Sequence, residues 1–325
     1  MKRVGESKMR IAVTFSVGLE QHAKKMQDEL SVKGHLVSVK SFNATPSDEE
    51  LGKFIKDAEV YVVGGLEKIT AKVINSARNL FIIMRFGAGY DNIDLPAATR
   101  RKVWVTNVPG ENADSVAELT LALMLALARR IPFCHNLVQQ GGWKIIVGQE
   151  LKAKTLGIIG LGAIGKSIVK KVQGLEMNII GHDIKRDKEF SNQWNVKRYS
   201  LENLLRTSDF VSIHLPLTEK TKKLISSREL SIMKKNAYLI NTSRGGVIDE
   251  EALVKVLKES EIAGAGLDVL STEPPPSCEL QRMDNVVLTP HIGGSTYEAI
   301  SRTSKRIVEN ILRIQKGKKP FNIVN

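Results

Sequence analysis

Thr155-Leu-Gly-Ile-Ile-Gly-Leu-Gly-Ala-Ile-Gly165 leads into a helical run and then into Met177-Asn-Ile-Ile-Gly-His-Asp183. The apolar residues Leu156 to Ile159 fit a strand buried in a parallel sheet. Gly160-x-Gly162-x-x-Gly165 follows at once, and the helix starts inside it. The first glycine allows a tight turn, the second lets a pyrophosphate approach the backbone, and the third lets helix and strand pack closely. Ala163 and Ile164 open a helix whose free N–H groups and partial positive charge face the phosphates. A second strand, Asn178 to Gly181, ends on Asp183, where a carboxylate can accept hydrogen bonds from an adenosine ribose. Strand, glycines, helix, second strand and acid define a dinucleotide-binding unit.

Working outward from it, strand and helix signals alternate on both sides. Upstream, Arg10 to Phe15 reads as a strand, Leu19 to Val32 as a helix and His35 to Lys40 as a strand. Asp48 to Lys56 reads as a helix, Val60 to Val63 as a strand, Thr70 to Ala77 as a helix and Leu80 to Phe86 as a further strand. This alternation predicts a second doubly wound parallel sheet, one without a dinucleotide fingerprint. Between the two lies an Ala- and Leu-rich helix, Asp114 to Arg130, apolar around most of its circumference and expected to be buried on more than one side. Downstream, Phe210 to Leu215, Tyr238 to Asn241, Ala263 to Leu267 and Val286 to Leu288 read as strands. They end beside His214, Thr242-Ser243-Arg244, Asp268 and His291, so these residues should converge at the carboxyl ends of one sheet. A last helix, Thr296 to Gln315, follows once the fingerprint sheet is complete and should return to the first domain. The expected organisation is therefore a substrate domain of 1–105 and 295–325 around a Rossmann-type domain of 106–294.

Bulk properties set the class. At 325 residues two domains are the natural reading, and 42% apolar with 26% charged residues is ordinary for a globular protein. No apolar run reaches the roughly 18 residues needed to span a bilayer, so no membrane partner is expected. Cys134 and Cys278 offer neither a disulfide framework nor metal spacing, which points to free thiols in a reducing cytoplasm and to no metal. The net charge is +13, but the lysines are spread through helical segments, with a short cluster only at Lys316 to Lys319. Nucleic acid needs clustered basic residues, so none is expected as a partner. An anionic cofactor and an anionic substrate would benefit modestly from the field, but the charge does not decide function.

Three stretches near the strand ends carry a more specific signal: Asn241-Thr-Ser-Arg-Gly245, Asp268-Val-Leu-Ser-Thr-Glu-Pro274 and Thr289-Pro-His-Ile-Gly-Gly294. Arg85-Phe-Gly-Ala-Gly-Tyr-Asp-Asn-Ile-Asp94 and Asn107-Val-Pro-Gly110 add two more. These five motifs, in this order, closely resemble those of the D-isomer-specific 2-hydroxyacid dehydrogenases, from about Met9 to Asn325. The resemblance implies a flavodoxin-like substrate domain interrupted by an NAD-binding Rossmann domain, and commonly a homodimer through the latter. It implies that Arg244 holds the carboxylate and keto oxygen of a small 2-oxoacid, a task that suits a guanidinium fork. His291 would exchange a proton with the keto oxygen, and Glu273 would bond the other imidazole nitrogen and favour the protonated ring. Backbone N–H groups of Gly87, Ala88 and Gly89 would grip the substrate anion, with Lys68 as a partner for a phosphate. Asp183 would take the ribose, and His214, Leu215 and Pro216 would wall the adenine. Thr242, Ser243, Asp268, Gly293 and Gly294 would complete the cofactor contacts, with Thr242 and Asp268 at the nicotinamide end. Ala163 departs from relatives that carry arginine or lysine beside the pyrophosphate. Gly64 stands where phosphoglycerate dehydrogenases commonly carry arginine, so glyoxylate or hydroxypyruvate and 3-phosphoglycerate remain level as substrates. An NAD-sensing corepressor of the same fold is the alternative from another functional class.

Overall fold

The computed structural model describes residues 8–42, 44–65 and 67–325. Two compact units account for them: the described residues up to Asn112 with Thr296–Asn325, and Ala113–Ser295. The boundary expected after residue 105 falls inside a strand, Trp104–Thr106, that belongs to the first unit.

The first unit is a five-stranded sheet of β1 (Arg10–Ser16), β2 (Leu36–Phe42), β3 (Val60–Gly64), β4 (Ile82–Arg85) and β5 (Trp104–Thr106). All its pairings are parallel, and the order β2-β1-β3-β4-β5 is that of flavodoxin-like sheets. Helices cover both faces, which is why Val60, Tyr61, Val62 and Val63 read as an unbroken apolar run and are all fully buried. One face packs Leu51, Ile55, Val73 and Ile74 from two short helices. The other packs Met26 and Leu30 together with Ile307, Val308, Ile311 and Ile314 of the helix Tyr297–Gln315. The last residues then close the sheet edge, with Thr106 bridging Ile323 antiparallel and the Val324 N–H donating to the Val105 carbonyl at 2.9 Å. A strand edge that would otherwise offer unpaired backbone groups is thereby covered.

The second unit is a seven-stranded parallel sheet of β6 (Thr155–Ile159), β7 (Asn178–His182), β8 (Lys197–Arg198), β9 (Phe210–Ile213), β10 (Tyr238–Asn241), β11 (Gly264–Leu267) and β12 (Val286–Leu288). Its order, β12-β11-β10-β9-β6-β7-β8, reverses direction at β6 as in the Rossmann fold. The helix Ala113–Ala128 buries Ala117, Leu123, Met124 and Leu127 against this sheet. As expected from the sequence, it is buried on more than one side, since the helix Ala163–Lys171 packs on it too, with Ile168, Val169 and Val172 in the same core. Only a strip that includes Glu118, Ala122 and Leu125 is exposed. The next helix, Ile131–Gln139, buries no residue at all. Among the described residues no helix is long and apolar enough to cross a membrane.

Candidate functional site

Because all seven strands of the second unit run parallel, their carboxyl ends share one edge, and the polar residues flagged in the sequence gather there. Gly160, just after β6, sits at φ +98°, a left-handed backbone that favours glycine, and its N–H donates to the His182 carbonyl at 2.8 Å. Gly165 faces that turn so closely that a Cβ would collide with the Gly160 carbonyl oxygen. Gly162 is the N-cap of the helix Ala163–Lys171, has no side-chain cap, and has open space where a Cβ would stand. The helix N-terminus thus presents uncapped N–H groups, those of Ala163 and Ile164 included, beside an open backbone. Asp183 ends the loop, with Oδ2 accepting from the Leu161 N–H at 2.7 Å and Oδ1 from the Lys185 N–H at 2.8 Å. Each oxygen keeps a lone pair for a hydroxyl. These features fit a dinucleotide phosphate and ribose.

Arg198 is a residue that the sequence reading missed. From β8 it donates to the Asp183 carbonyl at 2.5 Å and to the Lys185 carbonyl at 3.4 Å. Its only signal was basicity, and a two-residue strand leaves no periodicity to place it.

His214 follows β9. Its Nε2 lies 2.7 Å from the Ser212 hydroxyl, while Nδ1 is buried and has no partner among the described residues. Burial pushes its pKa down to about 3, so the ring is neutral near pH 7. Leu215 and Pro216 continue the same segment, and the Pro216 carbonyl accepts from Thr221 Oγ1 at 2.6 Å. After β10, Thr242 is buried with its hydroxyl 3.0 Å from that of Thr120. Ser243 is likewise committed, donating from N and Oγ to Asn241 Oδ1 at 3.0 and 2.7 Å. Asn241, fully buried and not anticipated, also donates from Nδ2 to the Arg244 carbonyl at 2.9 Å. One amide therefore clamps the whole turn and sets where Arg244 leaves it. Arg244 itself donates to the Ser243 carbonyl at 2.7 Å.

The remaining two chemical groups meet directly. Glu273 Oε2 is 2.6 Å from His291 Nδ1, and Oε1 accepts from the Leu270 N–H at 3.0 Å. His291 is held at φ +54°, an uncommon conformation for a side-chain-bearing residue. Asp268 accounts for it: the His291 N–H donates to the Asp268 carbonyl at 2.9 Å. The Asp268 carboxylate accepts from Thr289 Oγ1 at 2.6 Å and from the Ile292 and Gly293 N–H groups at 2.8 Å each. Both of its oxygens are thus spent on the loop that carries His291, with Gly294 next in the turn. Burial raises the Asp268 pKa, opposed by those three hydrogen bonds and by the His291 charge. With Nδ1 engaged, Nε2 of the half-exposed His291 is the nitrogen left for an outside partner. A carboxylate-held imidazole after β12 and a guanidinium after β10, on either side of β11 at the same sheet edge, can exchange a proton with, and anchor, a small oxoanion.

In the first unit, Phe86, Gly87 and Ala88 form a bend after β4 with Gly89 next in the chain, and Lys68 is exposed on the loop after β3. The Gly87 N–H does not point outward. It donates back to the Arg85 carbonyl at 3.0 Å.

The comparisons bear on this geometry. Residues 121–293 match the family model described as D-isomer specific 2-hydroxyacid dehydrogenase, NAD binding domain. A glyoxylate reductase of Thermofilum pendens is 43% identical over 294 residues, covering 86% of this chain and 85% of that one. A D-3-phosphoglycerate dehydrogenase of Methanocaldococcus jannaschii is 44% identical over 280 residues, 85% of this chain but only 53% of the relative. Among solved structures, the TT0316 protein of Thermus thermophilus superposes with a TM-score of 0.88 at 35% identity, over 98% of this chain and all of that one. The chain belongs to the D-isomer specific 2-hydroxyacid dehydrogenase family. It is an oxidoreductase of CH–OH donors with a Rossmann fold, and its cofactor is NAD.

Proposed function

We propose that this chain reduces a small, unphosphorylated 2-oxoacid of the glyoxylate or hydroxypyruvate type, with His291, Glu273 and Arg244 as its catalytic residues. The observation that carries this reading is the 2.6 Å contact between Glu273 Oε2 and His291 Nδ1 on a loop clamped by Asp268. Glu273 holds the ring so that its free Nε2 delivers a proton to the keto oxygen, and in the reverse direction the same nitrogen takes the hydroxyl proton. Arg244 anchors the carboxylate, because a guanidinium fork matches a planar anion. The cofactor, when bound, supplies or accepts the hydride at the substrate carbon. Gly160, Gly162, Ala163, Ile164 and Gly165 would hold its pyrophosphate and Asp183 its ribose. His214, Leu215 and Pro216 would flank the adenine, with Thr242, Ser243, Asp268, Gly293 and Gly294 toward the nicotinamide.

The preference for an unphosphorylated substrate rests on Glu67. Its side chain is buried against Gly65 and accepts from the Gly65 N–H at 2.8 Å. A buried anion repels a phosphate more strongly than exposed, solvated Lys68 attracts one. NADH oxidation with glyoxylate, hydroxypyruvate and 3-phosphohydroxypyruvate side by side tests this. Fastest turnover of the phosphorylated acid would overturn the substrate class, and no turnover of any would leave only NADH binding.

The same proposal includes a cytoplasmic homodimer. Trp143 and Ile145 are each 90% exposed and Val147 is 87% exposed, beside a helix with no buried residue. A second copy of the chain would cover this apolar arm. Light scattering of Trp143→Ser/Ile145→Asp beside the parent is expected to show monomer against dimer. A monomeric parent would remove that part of the reading.

A further inference from the structure

Two of the motif residues, Arg85 and Asn107, take no part in the chemistry above, and the structure shows both engaged with the same bend. Three consecutive peptide carbonyls there are each bound. The Gly87 carbonyl accepts from the Val108 N–H at 2.8 Å, the Ala88 carbonyl from Asn107 Nδ2 at 2.6 Å and the Gly89 carbonyl from Arg85 Nε at 3.0 Å. Asn107 is buried, and Arg85 is tied down a second time through the Val63 carbonyl at 3.1 Å. A peptide unit is planar and trans, so its N–H points opposite to its C=O. Fixing these three oxygens therefore turns the N–H groups of Ala88, Gly89 and Tyr90 the other way. None of the three finds an acceptor among the described residues, and the space where a Gly87 Cβ would stand is open. Successive N–H groups whose directions are fixed and that have no protein acceptor can hold an anion without reorganisation when it arrives.

We propose that Arg85 and Asn107 are positioning residues that aim the Ala88, Gly89 and Tyr90 N–H groups at the carboxylate of the 2-oxoacid. This rests on the reductase reading given above. Asn107 reaches the middle peptide from the end of β5 and Arg85 the last one from the end of β4. The donor row thus begins at Ala88 and extends to Tyr90, because Gly87 is turned back on Arg85. Neither side chain touches the substrate. Each acts through the peptide that it holds.

Two variants of the full chain test this. Asn107→Leu keeps the buried volume and removes the donor to Ala88, and Arg85→Lys keeps the charge and removes the Nε–H that reaches Gly89. With glyoxylate and NADH, each is expected to raise the KM for the 2-oxoacid about tenfold, with kcat within about threefold of the parent. The NADH dissociation constant should not move. A merely structural role would lower the amount of active enzyme, hence kcat at constant KM, and that result overturns the inference. Loss of folding in both variants, read by melting and by NADH fluorescence, overturns it as well. If only one folds, its KM decides. The parent is the separate arm: a parent inactive on every 2-oxoacid removes the reductase reading and this inference with it. An active parent with unchanged variants removes the inference alone.

Discussion

Glu273→Gln separates proton donation from the holding of the donor. Glu273 Oε2 faces His291 Nδ1 at 2.6 Å while Oε1 faces the Leu270 N–H at 3.0 Å, so the carboxylate accepts on both sides. A glutamine has one oxygen to offer. Turned toward His291, it sets its NH2 against the Leu270 N–H. Turned the other way, it keeps Leu270 and presents a donor to Nδ1, which confines the ring's proton to Nε2. Either way a charge-assisted bond becomes a neutral one or is lost. Bonds to charged groups contribute roughly 1.5–3 kcal/mol against about 1 kcal/mol for neutral ones. The side chains are 45% and 25% exposed, so solvent screening puts the difference in the lower part of that range, about 0.5–1 kcal/mol. The expected result is a kcat for NADH-dependent glyoxylate reduction at pH 7 lowered about two- to fivefold. His291→Gln, which removes the proposed proton donor itself, should lower it about 10²-fold or more. Steady-state assays of both proteins, with NADH affinity measured by fluorescence as the control, give the comparison. A Glu273→Gln enzyme equal to the parent, or as damaged as His291→Gln, refutes this division of labour.

Three further outcomes are expected. Gly165→Ala places a methyl group against the Gly160 carbonyl oxygen, and overpacking of this kind costs about 1–3 kcal/mol, seen as a lower urea midpoint and weaker NADH binding; an unchanged midpoint contradicts it. The parent should prefer NADH over NADPH by at least about tenfold, roughly 1.4 kcal/mol. Asp183→Ala should weaken that preference, because it leaves Arg198 beside the site without the repelling carboxylate; kcat/KM with both cofactors decides, and an unaltered ratio removes the role of Asp183. His214, with its pKa lowered from 6.5 to about 3, stays neutral in the folded chain where the unfolded chain takes up a proton. Its contribution to stability is therefore lost as pH falls from about 6.5 toward 3. His214→Asn should flatten urea midpoints across that window, and an equally steep acid limb would contradict this.

The two sheets were legible because their strands are apolar runs set off by glycines and polar ends, and Leu156 to Ile159 followed by three spaced glycines has few other physical readings. What escaped was short or depended on direction. β5 and β8 span three and two residues, too few for any period, so the place of Arg198 could not be foreseen. The helix 113–128 looked apolar all round, and composition could not say which strip of it, around Glu118, Ala122 and Leu125, would stay exposed. The candidate site residues were readable as motifs. How they are held was not: Asn241, Asp268, Arg85 and Asn107 act through backbone carbonyls and N–H groups, whose orientation no residue type announces. The turning of the Gly87 N–H back onto Arg85 is of the same kind.

The return of Tyr297–Gln315 and the final residues to the first sheet has a consequence for synthesis on the ribosome. When residue 112 has been made, Val13, Met26 and Leu30 still lack Ile307, Val308 and Ile311, and the β5 edge lacks Ile323 and Val324. All of Ala113–Ser295 must be translated before those partners exist, on the order of 10–40 seconds at typical elongation rates. The inserted unit can therefore complete its core first, while the unit that begins the chain waits with an apolar face uncovered. During that interval the nascent chain is a ready client for chaperones. A stop placed just after Ser295 would make the interval permanent, leaving one unit finished and the other without the helix that closes it.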